Sequence, residues 1–189
     1  MITNYKVDIE KGLIIPSQFM PSPNYDDRPT NTEIELVVIH CISLPPAIYG
    51  GHEVIDFFQN NLNENDHPYF SEIIHLRVSS HLFIDRKGEL YQFVPLDKRA
   101  WHAGESNYLG RENCNDFSIG IELEGIDTDA YEDRQYHTLA KVIICLSRYY
   151  SSLTETDIIG HSDIAPKRKK DPGKHFKWDY LKKLIQKYK

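Results

Sequence analysis

Ile34-Glu35-Leu36-Val37-Val38-Ile39-His40 is a β-branched, nearly continuous apolar run of strand length. That pattern suits a central strand buried on both faces, and a histidine ends it. Phe117-Ser118-Ile119-Gly120-Ile121-Glu122-Leu123-Glu124 alternates instead. It sets Phe117, Ile119, Ile121 and Leu123 on one face of a strand and Ser118, Gly120, Glu122 and Glu124 on the other. A third run, Asp157-Ile158-Ile159-Gly160-His161, reads as a strand and again stops at a histidine. Helical spacing fills the intervals. A short helix starts near Gly51, and Tyr136, Leu139, Val142, Ile143, Leu146 and Tyr149 recur at threes and fours behind a capping-box variant at Asp129-x-x-Glu132. A terminal helix runs from Trp178 with Leu181, Leu184, Ile185 and Tyr188 inward. Strands, a hairpin and interposed helices predict an α/β fold: one domain with a mixed central β-sheet flanked by helices.

The remaining segments follow from turn chemistry. Residues 73–78 and 80–85 look strand-like, Asp85-Arg86-Lys87-Gly88 is a turn signature, and residues 90–94 supply the hairpin partner. Residues 63–72, polar with Pro68, read as a loop, and residues 97–116 as a long surface loop of the kind that carries function. Residues 1–33, rich in Pro, Asn, Asp and Ser, read as an irregular arm preceding a domain over residues 34–189.

At 189 residues, with 40% hydrophobic and 26% charged side chains, the chain has the size and composition of one folded domain. Its net charge of −6 argues against a nucleic-acid binder covered in basic surface. The charge is lopsided, since residues 167–189 carry 10 basic and 2 acidic side chains. Cys41, Cys114 and Cys145 form no C-x-x-C pair and no disulfide framework, which points to a reducing compartment. The N-terminal stretch lacks the pattern of an export signal and no apolar run approaches membrane-spanning length, so a cytoplasmic protein without membrane or nucleic-acid partners is expected.

His40 and His161 stand where strands hand over to loops, the place where an α/β sheet builds its sites. His161 and Asp171 flank a proline-containing loop able to fold both onto one ion. With His40 they make two imidazoles and a carboxylate, a set that suits zinc and leaves a fourth position for water. A water activated there needs a base within reach. Glu122, between Ile121 and Leu123, is the leading candidate, yet periodicity alone serves Glu124 equally well.

VVIHCISLPP, HLRVSSHLFIDRKGELYQFVPLDKRAWHAG, GRENCNDFSIGIELEG and GHSDIAPKRKKDPG, in that order and spacing, resemble the zinc-dependent N-acetylmuramoyl-L-alanine amidases of the AmpD type. That group shares its fold with peptidoglycan recognition proteins. The resemblance implies zinc held by His40, His161 and Asp171, with Glu122 as the catalytic carboxylate and Lys169 as an oxyanion stabiliser. It also implies that Tyr69 lies near the metal, that Trp101 and His102 line a muropeptide groove, and that Arg77 meets an anionic group of the stem peptide. The implied substrate is a cytoplasmic (anhydro)muropeptide, cut by a monomeric enzyme between the lactyl group and L-alanine. An endolysin-like amidase acting on polymeric peptidoglycan and a non-catalytic muropeptide-binding module are the rivals. Two departures stand out: Cys41 replaces the asparagine usual after the first ligand, and Asn113 an arginine.

Overall fold

The computed structural model describes residues 4–189. Strands β1 (Lys6–Asp8), β2 (Leu13–Ile15), β3 (Gln18–Phe19) and β4 (Tyr25–Asp27) precede the long central strand β5 (Leu36–Ile42). Helices α1 (Glu53–Phe58) and α2 (Pro68–Ile73) lead to β6 (Leu82–Ile84), β7 (Leu90–Gln92) and β8 (Lys98–Ala100). A small hairpin, β9 (Asn107–Tyr108) and β10 (Arg111–Glu112), and a 3-10 turn at Cys114–Asp116 come before β11 (Ser118–Glu124). Helix α3 (Asp133–Tyr149), β12 (Ile158–Gly160), the short α4 (His161–Ile164) and α5 (Trp178–Tyr188) complete the chain.

Six strands form the central sheet in the order β12-β5-β11-β6-β7-β3. β12, β5, β11 and β6 run parallel, β7 is antiparallel to β6, and β3 is parallel to β7, so the sheet is mixed as the sequence predicts. Both central strands are buried throughout most of their length. Val37, Ile39, Ile119, Ile121 and Leu123 face α3 and α5, where Tyr136, Leu139, Leu181 and Leu184 close the main core. Leu36 and Val38 face the other way, onto Ala103, Cys114, Phe117 and Ile164. A separate apolar cluster packs α1 and α2 onto Phe83 and Phe93.

Several expectations change. The arm is not irregular: it holds four short strands, and β3 joins the central sheet through Gln18 and Phe19. Elements of two or three residues are too short to show a period. Residues 63–72 are not all loop, because Pro68 occupies the first turn of α2, where its missing N–H costs nothing, and the His67 side chain accepts from Tyr69 N–H. Residues 73–78 are not a strand, since Ile73 ends α2. The long loop of 97–116 contains β8 and the β9–β10 hairpin. Helix α3 is capped by Glu132 and Gln135, one turn later than the Asp129 motif suggests. His161 opens α4 and does not close β12.

Candidate active site

Parallel register does the first part of the assembly. β11 pairs with β5 so that Glu122 lies level with His40, and adjacent residues in register project from the same face. β12 pairs with the other edge of β5, Gly160 against Ile39, which delivers His161 beside His40. The loop after α4 then folds back: Ser162 N–H donates to Asp171 carbonyl oxygen at 3.0 Å and Tyr131 hydroxyl to Pro172 carbonyl oxygen at 2.7 Å. Glycine is required at 173, where φ is +87° and a Cβ would sit 1.9 Å from the Asp127 carbonyl oxygen.

The result is a tight, buried cluster. His40 Nδ1 lies 2.9 Å from His161 Nδ1 and 3.4 Å from Asp171 Oδ2, and His161 Nδ1 lies 3.0 Å from that same oxygen. His40 and His161 are 1% and 2% exposed, so bulk water is largely kept from both rings. Their lone pairs can be assigned by following protons outward. His161 Nε2 meets the Ala103 carbonyl oxygen at 3.1 Å; a carbonyl only accepts, so Nε2 carries the hydrogen. Ser118 Oγ donates to Cys114 carbonyl oxygen at 2.5 Å and therefore accepts from His102 Nε2 at 3.1 Å. His102 Nδ1 is thus an acceptor and receives His40 Nε2–H at 2.9 Å. Both imidazoles turn a bare Nδ1 toward Asp171. Two nitrogen lone pairs and a carboxylate converging this closely repel one another without a cation, and two histidines with one aspartate fit a metal site.

Electrostatics sort the groups further. Burial pulls the His40 imidazole down to about 4, so it stays neutral with a lone pair free. Glu122 goes the other way. Burial and then the Asp171 charge push its carboxyl well above normal, with Lys169 opposing, and its buried Oε2 has no hydrogen-bond partner. Glu124, two residues on and on the same face, is occupied: its carboxylate accepts from the backbone N–H of Gly50 and, at 2.8 Å, of Arg86. The ambiguity left by periodicity is removed by partners.

These groups share a cavity of about 510 Å³. His40, Glu122, His161, Lys169 and Asp171 line it together with an apolar cluster of Leu44, Phe57, Phe58, Tyr69, Ile73 and Val78.

A family model described as N-acetylmuramoyl-L-alanine amidase matches residues 30–174. The chain is 50% identical to the 1,6-anhydro-N-acetylmuramyl-L-alanine amidase AmpD of Escherichia coli K12, over 95% of this chain and 97% of that one. A crystal structure of a selenomethionine AmpD derivative superposes with a TM-score of 0.91 at 50% identity, covering 95% of this chain and 98% of the other. The chain belongs to the N-acetylmuramoyl-L-alanine amidase family. As an amidase it is a hydrolase, and its fold is the peptidoglycan recognition protein-like α/β fold expected from the sequence. A more distant amidase, AmiD from E. coli, solved with anhydro-N-acetylmuramic acid-L-Ala-D-γ-Glu-L-Lys, superposes at a TM-score of 0.59 and 27% identity, over 83% of this chain and 60% of that one.

Within this amidase, Tyr69 and Lys169 line the cavity, and His102 forms part of its floor behind His40. Trp101 and Arg77 are not among the lining residues. Arg77 is exposed and its guanidinium turns onto the carbonyl oxygens of Ile74, at 2.8 Å, and Leu76, at 3.3 Å. Cys41 borders the cavity but packs toward the main core, and burial pushes its thiol up to about 12, which makes it a poor ligand. Asn113 is exposed at φ +57°, ahead of the 3-10 turn and off the cavity wall. Sequence reading missed Ala103, Asn115, Ser118 and Arg168, all of which bear on the His40 and His161 rings directly or through His102 and Ala103. Only the length of the loop of 97–116 hinted at Ala103 and Asn115.

Proposed function

We propose that this amidase hydrolyses the amide between the lactyl group of 1,6-anhydro-N-acetylmuramic acid and the L-alanine of the stem peptide, with zinc as cofactor, in cytoplasmic muropeptide recycling. The observation that carries the reading is the partnerless, proton-retentive Glu122 carboxyl beside the His40–His161–Asp171 cluster. His40, His161 and Asp171 would hold the ion. A zinc ion so held supplies Lewis acidity toward an amide carbonyl and toward water. Glu122 takes the proton of the attacking water, for which its elevated affinity is suited, and returns a proton to the departing alanine nitrogen. Lys169 brings a positive charge to the wall where the oxyanion develops. The apolar cluster with Tyr69 excludes water from its part of the cavity. Arg77 stands between the lining residues Leu76 and Val78, so a stem-peptide carboxylate would reach it by replacing its two backbone carbonyls. Three free thiols, and no helix among the described residues long and apolar enough to cross a membrane, support the cytoplasmic setting.

The test incubates zinc-loaded protein with anhydro-muramyl tripeptide and follows free peptide by mass spectrometry, with a chelated sample and Glu122→Ala alongside. Release lost in both controls is expected. Release that survives chelation overturns the zinc reading. Preference for whole sacculi overturns the recycling assignment in favour of an endolysin-like enzyme.

A further inference from the structure

The two ligand imidazoles are supported from behind by one dipeptide. His40 Nε2 ends on the His102 ring at 2.9 Å, and His161 Nε2 ends on the Ala103 carbonyl oxygen at 3.1 Å. That dipeptide lies in no regular element, so something else must fix it. A single side-chain oxygen does: Asn115 Oδ1 accepts the backbone N–H of His102 at 3.1 Å and of Ala103 at 2.8 Å. Asn115 is 7% exposed and sits in the 3-10 turn at Cys114–Asp116. Its own carbonyl is held in turn by Arg28 Nη1 at 2.9 Å. Arg168 Nη2 adds a bond to the Ala103 carbonyl oxygen at 2.7 Å.

We infer that Asn115 is a positioning residue of the metal centre, acting through His102 and Ala103 to aim the Nδ1 atoms of His40 and His161 at a common ion. The inference rests on the metal reading proposed above. Partners behind ligating imidazoles commonly set metal affinity by about 10–100-fold. Here one amide oxygen governs both partners at once. A loop-anchoring role alone would lower stability and leave the metal untouched; a positioning role changes affinity and ligand geometry in a folded protein.

The experiment measures zinc affinity by competition with a chromophoric chelator, and the visible absorption of the cobalt(II)-substituted protein, for wild type, Asn115→Ala and Asn115→Asp. Melting of the metal-free proteins is followed in parallel. Asn115→Ala is expected to bind zinc about 10–100-fold more weakly, with an altered cobalt spectrum. Asn115→Asp keeps the accepting oxygen and is expected to retain both properties. Should the alanine variant fold poorly, Asn115→Ser, whose hydroxyl is too short to span both amides, replaces it with the same expectation. Wild-type zinc affinity and cobalt spectrum in a folded Asn115→Ala or Asn115→Ser overturn the inference alone. A wild-type protein that binds neither metal overturns the metal reading together with it.

Discussion

The parallel strands and the loop between β8 and β11 meet at the same two imidazoles, and they are built by opposite rules. β5, β11 and β12 place His40, Glu122 and His161 by ladder register, so position follows from counting residues along strands. What lies behind those rings is held by side-chain bonds: Asn115 within the loop on two amides, and from outside it Arg168 on the Ala103 carbonyl oxygen and Ser118, at the start of β11, on the His102 ring. The strands fix where the ligands stand; the loop fixes which nitrogen they present. A change on the strand side should therefore abolish function outright, and a change on the loop side should grade it. The largest effect is expected for Asp171→Ala, in the loop after α4, which removes the carboxylate that faces both strand-placed imidazoles. Bound zinc measured by elemental analysis should fall to trace levels, and turnover by at least about 1,000-fold. Full zinc occupancy in that variant would show that the His40–His161–Asp171 cluster does not hold the ion.

Glu122→Gln separates chemistry from metal binding. Zinc should stay bound while turnover falls by about 100- to 10,000-fold, the scale of a lost general base. The same substitution should stabilise the metal-free protein at neutral pH. The folded carboxyl holds its proton above the unfolded value, so below that value both states are protonated and the variant gains nothing. As pH rises, the unfolded wild-type chain ionises first and the wild type loses stability relative to the variant. Denaturant melts should show a gain of about 1–3 kcal/mol near pH 7, the cost of a buried unsatisfied polar group. The gain should close toward about pH 4. A gap that widens on acidification would show that Glu122 is not the destabilised group.

Gly120→Ala probes the loop side with the smallest possible change. A Cβ at 120 would lie 2.4 Å from His102 Cγ, so the ring must leave its bonds to Ser118 and His40. Zinc affinity by chelator competition should weaken about 10-fold with no residue of the cluster altered. Unchanged affinity would mean the His102 ring does not orient His40. This position also shows where sequence reading stops. Gly120 was legible as a strand residue facing away from the core, because period 2 is a property of the strand itself. Nothing local says that a histidine 18 positions earlier lies on it, since that proximity depends on the path of an irregular loop. The same distinction explains the rest. β5, β11, α3 and α5 are long enough for their period to show, and His40, His161 and Asp171 share a residue chemistry that reads without coordinates. The short strands of residues 6–27 give no periodic signal, and Arg28 was invisible as the side chain that reaches Asn115, Asp116, Leu96 and Ser118 carbonyls.

The smallest effect on catalysis should come from the residue most like Glu122 in sequence. Glu124 shares its strand, its face and its side chain, but its two oxygens are already used by Gly50 and Arg86 backbone N–H groups, and its own carbonyl by Gln135 Nε2 at 3.1 Å. Glu124→Gln keeps one accepting oxygen and turns an NH₂ toward an N–H donor, leaving a buried donor unpaired. It should cost about 1–3 kcal/mol in denaturant melts and leave turnover on anhydro-muramyl tripeptide within about twofold. Identical substitutions two residues apart thus carry opposite signs in stability and differ by orders of magnitude in rate. If Glu124→Gln instead stabilised the protein, or lost activity as Glu122→Gln does, the division of labour between the two carboxylates would be wrong. Their partners, rather than their place on the strand, are what make one an anchor and, on the function proposed above, the other a base.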